Sequence, residues 1–263
     1  MFDFLRGVMK NWWVWFYGLS LIVVGVSAEN PSFPGSTLPG FWGDMGSTLE
    51  WGSPSEESSP ARRSDSLWLS LFWNDLNGLA SCNQFGFSAD WGRQYYRSAF
   101  LFSLMRMDSI YTALSFGGEF ALQWGRFNLG YGHLWRIESV PGIDSWSAHR
   151  SKWGMHFQLI GGFSLGALYS IAYGEYYQWW GGLHWSSKSG TGFFIEYSKE
   201  KLNVGQVINF GAFSFQSALS YPGPQISMGL TFDIHHLLIG VGVYRSAFAF
   251  NSKSFHINRN WSR

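Results

Sequence analysis

The chain has 263 residues with a formal net charge of +1; 46% of them are hydrophobic, 20% aromatic and only 13% charged. A net charge this small, with no basic run, offers no field for nucleic acid. A mean hydropathy of -0.06 excludes a bundle of membrane helices, and the charge content is about half of the roughly 25% usual in soluble domains.

Residues 1–28 have the layout of a secretory signal peptide. Arg6 and Lys10 supply the positive start, Trp12 to Val26 is uncharged, and Val26-Ser27-Ala28 offers small residues for cleavage ahead of Glu29. The stretch is short for a spanning helix. Cys82, the only cysteine, lies too far from the signal end to be an acylation site and cannot form an internal disulfide.

Residues 29–65 change character. Pro31, Pro34, Pro39, Pro54 and Pro60 fall here among Gly and Ser, with Glu56, Glu57, Arg62 and Arg63. Such a segment buries too little to offset its ordering entropy. The expectation is a flexible periplasmic arm. The alternative is a plug inside a lumen, anchored by Phe41, Trp42, Leu49 or Trp51.

From Ser66 to the end (66–263) large apolar residues alternate with Gly, Ser, Asn, Gln or acids. Gln84-Phe85-Gly86-Phe87-Ser88 and Ile226-Ser227-Met228-Gly229-Leu230 are examples. A period of two is that of a strand with unlike faces. The phase also measures turns, since paired residues share a face: an even turn switches the apolar parity and an odd one keeps it. Val204 and Ile208 are even, Phe213 and Phe215 odd, so a two-residue turn falls at Gly211-Ala212, with Gly suited to type II′. By the same reasoning Gly125-Arg126 and His235-His236 are two-residue turns, and Ile160 to Gly162 is an odd one.

The ruler predicts about fourteen strands, near 66–74, 84–92, 97–106, 109–124, 127–137, 153–159, 163–173, 178–186, 191–198, 202–210, 213–221, 226–234, 237–246 and 253–259. Twelve is the alternative if a terminal pair fails. The segment 109–124 is long and could be kinked at Gly117-Gly118. The fold expected is all-β, a transmembrane antiparallel up-and-down barrel. The widest connections, 75–83 and 138–152, fall on one side, as longer outside loops do. These two loops are the candidate contact points for protein partners.

On the face assigned to lipid, Trp135, Tyr173, Trp179, Trp185, Tyr197 and Tyr221 lie near segment ends and are expected to form aromatic girdles. The lumen-facing candidates are Asp90, Asn128, Arg136, Glu196, Asn209, Gln216 and Asp233. Small residues dominate this face, and the lumen is expected to be weakly charged, without rows of Arg opposite acids.

Chemistry is sparse. Adjacent His235-His236 lacks the spacing of a zinc site, and no metal or other cofactor is expected. A lipid hydrolase would need Ser, His and an Asn or acid on one face. His133 points toward lipid with Leu129 and Tyr131, while His184 and His156 take the other side; no Gly-x-Ser-x-Gly occurs.

The alternating strands from Ser66 to Arg259, behind a signal ending Val26-Ser27-Ala28, resemble bacterial outer-membrane β-barrel proteins. In strand number and N-terminal segment the chain is also similar to fatty acid transporter-like barrels, including scaffold barrels of secretion machines. One departure is the end, where Trp261 lies two residues short of the C-terminal aromatic such barrels often carry. The resemblance implies export to the bacterial outer membrane and contact with its lipid. The functional expectation is a passive or weakly selective channel for small or apolar solutes. The alternatives are a scaffold barrel in an outer-membrane complex and a lipid-modifying enzyme.

Overall fold

The computed structural model describes residues 59–62, 66–75, 82–108, 110–172, 176–187, 191–199, 201–222, 225–234, 237–246 and 252–261. The expected signal peptide, most of the segment 29–65, Tyr173 and the His235-His236 turn lie outside the described residues. Among those described, no helix is long and apolar enough to cross a membrane; this has no bearing on strands.

Fourteen strands run β1 (Leu67–Asp75), β2 (Cys82–Arg93), β3 (Tyr96–Met107), β4 (Tyr111–Trp124), β5 (Phe127–Ser139), β6 (Trp146–Gln158), β7 (Phe163–Ala172), β8 (Tyr176–Ser186), β9 (Gly192–Tyr197), β10 (Leu202–Phe210), β11 (Phe213–Tyr221), β12 (Gln225–Ile234), β13 (Leu237–Ser246) and β14 (Ser252–Trp261). Each pairs antiparallel with its chain neighbours, and β14 closes onto β1 from Leu67↔Trp261 to Asp75↔Lys253. The count of twelve is thereby excluded. Closure removes every sheet edge, the condition for strands to lie in lipid.

Turn chemistry sets the register. Phe210 pairs with Phe213, and Gly211 between them has φ 69°, the first-position conformation of a type II′ turn. Gly125, φ 56°, does the same between Trp124 and Phe127, which also pair. The segment around Gly117-Gly118 is one unbroken strand, paired throughout with β3 and β5.

One expected loop is corrected. Residues 138–152 are mostly strand: β5 continues to Ser139 and β6 begins at Trp146, with Glu138 paired to Trp146, so the connection is 140–145. The run Trp146-Ser-Ala-His-Arg-Ser-Lys is polar on both faces and hides its alternation. The connection assigned to 75–83 narrows likewise, since Asp75 ends β1 and Cys82 opens β2. The shortest connections, 94–95, 125–126 and 211–212, share one end of the barrel, which the loop-length rule assigns to the periplasm.

Paired residues climb around the wall. The row Leu67, Trp91, Ser98, Phe120, Tyr131, Trp153, Tyr169, Trp179 starts at the periplasmic end of β1 and finishes near the outer end of β8. Carried round the ring this slant is a shear of about 14 residues, giving a strand tilt of about 37° and a backbone radius of about 12 Å.

The outward positions are mostly apolar: Phe163, Leu165, Ile226, Met228, Leu230, Phe232, Val241 and Val243 are all exposed. Trp179, Tyr197 and Tyr221 face outward near the outer strand ends, with Trp135 somewhat deeper and Trp179 edge-on to Tyr197 at 5.7 Å between ring centroids. Trp185 lies at the opposite end, stacked on Phe193 at 5.5 Å. Aromatic rings thus stand near both ends of the barrel.

Candidate functional site within the barrel

The inward face is built from alternate residues whose burial contrasts with their exposed neighbours. Asp90, Asn128, Glu196 and Gln216 are buried there, and Arg136, Asn209 and Asp233 are half-buried on the same phase. They are not gathered in one place. Asp90 joins a charged cluster, Arg136 lies near the outer mouth, and Asn209 and Asp233 lie close to the periplasmic turns.

The expectation of a weakly charged lumen is corrected by that cluster. Arg97 donates from Nε to both oxygens of Asp90, at 2.9 and 2.8 Å. Its terminal nitrogens reach Glu119 Oε2, each at 3.2 Å. Lys152 Nζ donates to Glu119 Oε1 at 2.7 Å, and Arg62 Nη2 to Glu119 Oε2 at 2.9 Å. Three cations therefore share two carboxylates, all in a buried setting where a lost partner is costly. Topology explains the convergence. Asp90 pairs with Ala99, Ala99 with Glu119, Glu119 with Gly132 and Gly132 with Lys152, one hydrogen-bonded row from β2 to β6. Alternation in β3 and β4 carried the signal for Arg97 and Glu119; Lys152 was hidden in the mistaken loop.

Arg62 reaches this row because residues 59–62 lie inside the barrel. The segment is a tight turn: Ala61 N–H donates to Ser59 Oγ at 3.2 Å, and Arg62 Nε to the Ser59 carbonyl at 3.0 Å. Arg97 Nη1 donates to the Pro60 carbonyl at 3.2 Å. The seat is a pair of glycines, Gly130 and Gly154, directly opposite each other on β5 and β6. A Cβ on Gly130 would collide with the Pro60 backbone, and one on Gly154 with Ser59 Oγ.

Toward the outer mouth from the charged row lies an apolar layer, which the small-and-polar expectation for this face did not contain. Phe72, Leu101 and Leu134 form one buried cluster. Glycines make room for it, since a Cβ at Gly86 would strike the Phe72 ring and one at Gly117 the Leu134 side chain. Leu168, Trp180 and Phe194 also face inward and are buried. Beyond Leu134 a small cavity is lined by Ser115, Arg136, Ala148 and Arg150. Arg136 Nη2 donates to Tyr111 Oη at 3.1 Å, and its Nε lies 2.9 Å from Glu138.

Two inward histidines, His156 and His184, are buried with parallel rings 6.0 Å apart across β7. Among the described residues no group of three His, Cys, Asp or Glu side chains is placed to hold a metal ion.

A closed antiparallel barrel of fourteen tilted strands, apolar outside and polar within, has the fold of the bacterial outer-membrane β-barrel proteins. Among solved structures, the chain is similar to the CymD monoaromatic hydrocarbon channel, with a TM-score of 0.65 at 10% identity over 88% of this chain and 99% of that one. It is also similar to a triple mutant of the Rhodopseudomonas blastica porin, TM-score 0.43 at 8% identity over 74% of this chain and 99% of that one. For the KdgM porin the values are 0.43 at 6% identity, over 74% and 99%. At these identities the likeness is one of fold. No family model and no curated protein matches the sequence.

Proposed function

We propose that this protein is an outer-membrane channel for small or apolar solutes, with the N-terminal segment 29–65 acting as a plug. The observation that carries the reading is the seat of residues 59–62. Their backbone fills the Gly130–Gly154 notch, and Arg62 completes the charge row at Glu119. A backbone cylinder about 12 Å in radius with many Gly, Ser and Ala inward positions leaves space that wall side chains alone fill only in narrower barrels. The inward Phe72, Leu101, Leu134, Trp180 and Phe194 support apolar solutes, as does the hydrocarbon named for the CymD neighbour. Asp90, Asn128, Arg136, Glu196, Asn209, Gln216 and Asp233 would then line the path or its closure.

The test is conductance in planar bilayers. Intact protein should show small or infrequent openings, and deletion of residues 29–65 should give large, steady ones. A deletion variant that is folded and silent would sink the channel. Equal conductance in the two would sink the plug.

A further inference from the structure

The lipid-facing wall carries a polar cluster that the channel reading does not use. On the outward side of β5 and β6, His133 pairs directly with Ser151 across the sheet. His133 Nδ1 and Ser151 Oγ are 2.9 Å apart. Tyr131 Oη lies 3.3 Å from that nitrogen and 3.4 Å from that oxygen. The imidazole packs edge-on to Trp135 at 4.3 Å and parallel to His149 at 5.7 Å on its outer side, and is stacked with Tyr131 at 6.5 Å on the other. Outward positions here should be apolar, since a polar group facing hydrocarbon is costly unless paired. Ionisable side chains at membrane depth are functional candidates by default. The cluster occupies the outer half of the wall, below the Trp146 that opens β6.

From this geometry we infer that Ser151 and His133 form a nucleophile–base pair acting on the O-acyl esters of outer-leaflet lipids. A hydroxyl within hydrogen-bond reach of an imidazole whose ring is fixed by its neighbours is the arrangement that activates serine. Here ring packing replaces the carboxylate that orients the base elsewhere. Ser151 Oγ attacks the ester carbonyl carbon while His133 Nδ1 takes the hydroxyl proton. The bond from carbonyl carbon to alkoxy oxygen breaks, and that oxygen leaves with the proton from His133. Water then attacks the acyl-serine, giving its proton to His133, and Ser151 Oγ departs as it recovers that proton. No oxidant or cofactor enters the balance. Tyr131 Oη, next to the nucleophile, is placed to donate to the carbonyl oxygen as it gains charge. The wall on which this happens is open to lipid whatever the lumen carries, so the inference does not rest on the channel.

The experiment is covalent labelling of the folded full-length protein in lipid vesicles with an alkyl fluorophosphonate, read by peptide mass spectrometry. The expected result is an adduct on Ser151, absent in Ser151→Ala and slowed by about a hundredfold in His133→Gln, the low end of a general base's contribution. The heat-modifiable gel shift of each variant checks that the barrel has folded. Labelling spread evenly over exposed serines such as Ser147, or undiminished in folded His133→Gln, overturns the proposal. Two further arms present diacyl phospholipid vesicles or lipopolysaccharide and measure free fatty acid. Release from one names the source of the ester; release from neither, or release that survives Ser151→Ala, overturns the hydrolase.

Discussion

Gly130 of β5 and Gly154 of β6 face one another across the sheet, and the chain at Ser59 and Pro60 occupies the space their missing side chains leave. Neither glycine has a positive φ, so close approach, not backbone conformation, selects it. Gly130→Val should unseat residues 59–62, because the obstruction is Pro60 backbone, not a movable side-chain tip. Trypsin should then cut after Arg62, which is only 1% exposed in the folded protein. Gly118→Ala is the control: its nearest obstacle, the Ala99 carbonyl, is at ordinary contact distance, and Arg62 should stay protected.

Glu119 receives three cationic side chains. Removing its charge takes from Arg62 and Lys152 the carboxylate that each meets in this row, while Arg97 keeps Asp90. Glu119→Gln should destabilise the barrel by about 3 kcal/mol or more, the usual cost of breaking a buried pair from one side. The more exposed Arg136–Glu138 pair should contribute about 1 kcal/mol or less. Urea-dependent folding into vesicles of Glu119→Gln and Glu138→Gln gives the comparison.

Leu134 lies over Gly117, which has no side chain with which to refill a void. Leu134→Ala should therefore cost about 2–5 kcal/mol, as truncations in unyielding cores do. In planar bilayers the same variant should open more often than the unaltered protein, since the apolar layer would lose its largest contribution from β5. Equal opening frequency in a folded variant would place the closure elsewhere.

The outward wall predicts a depth dependence. Leu230 sits in the middle of β12 and Ile234 at its periplasmic end, both exposed. Leu230→Arg should cost about 2–4 kcal/mol, and Ile234→Arg about 1 kcal/mol or less, because a charge at the interface keeps its water. Urea titration of the two variants reads the difference; equal costs would mean that the wall is not embedded as described.

Alternation made the fold legible. It located β10 and β11 to the residue, at 202–210 and 213–221, because each strand has one apolar face and the turn between them needs the φ that Gly211 adopts. It failed over Trp146–Lys152, where Ser147, His149 and Ser151 take the outward positions at which alternation expects apolar residues, so the period vanishes. The charge row was half legible. Phase alone turns Glu119 and Arg97 inward, yet only three-dimensional pairing brings them to Asp90 and Lys152. The seat of residues 59–62 was not legible, because a glycine that admits a distant segment looks in sequence like any glycine on a small-residue face. The Ser151–His133 contact was hidden with Lys152, in the same stretch read as loop.

The closure of β14 onto β1 has a consequence for assembly. Leu67 and Trp261 are partners, almost at opposite ends of the strand-forming chain, so theirs is the most non-local pairing in the molecule and the dearest in loop entropy. The ring cannot shut until its last strand arrives. Residues 59–62 lie just ahead of β1 in the chain and sit inside the barrel against β5 and β6. Once it zips, they are enclosed by a cylinder with no lateral gap, and the only exits are its two mouths.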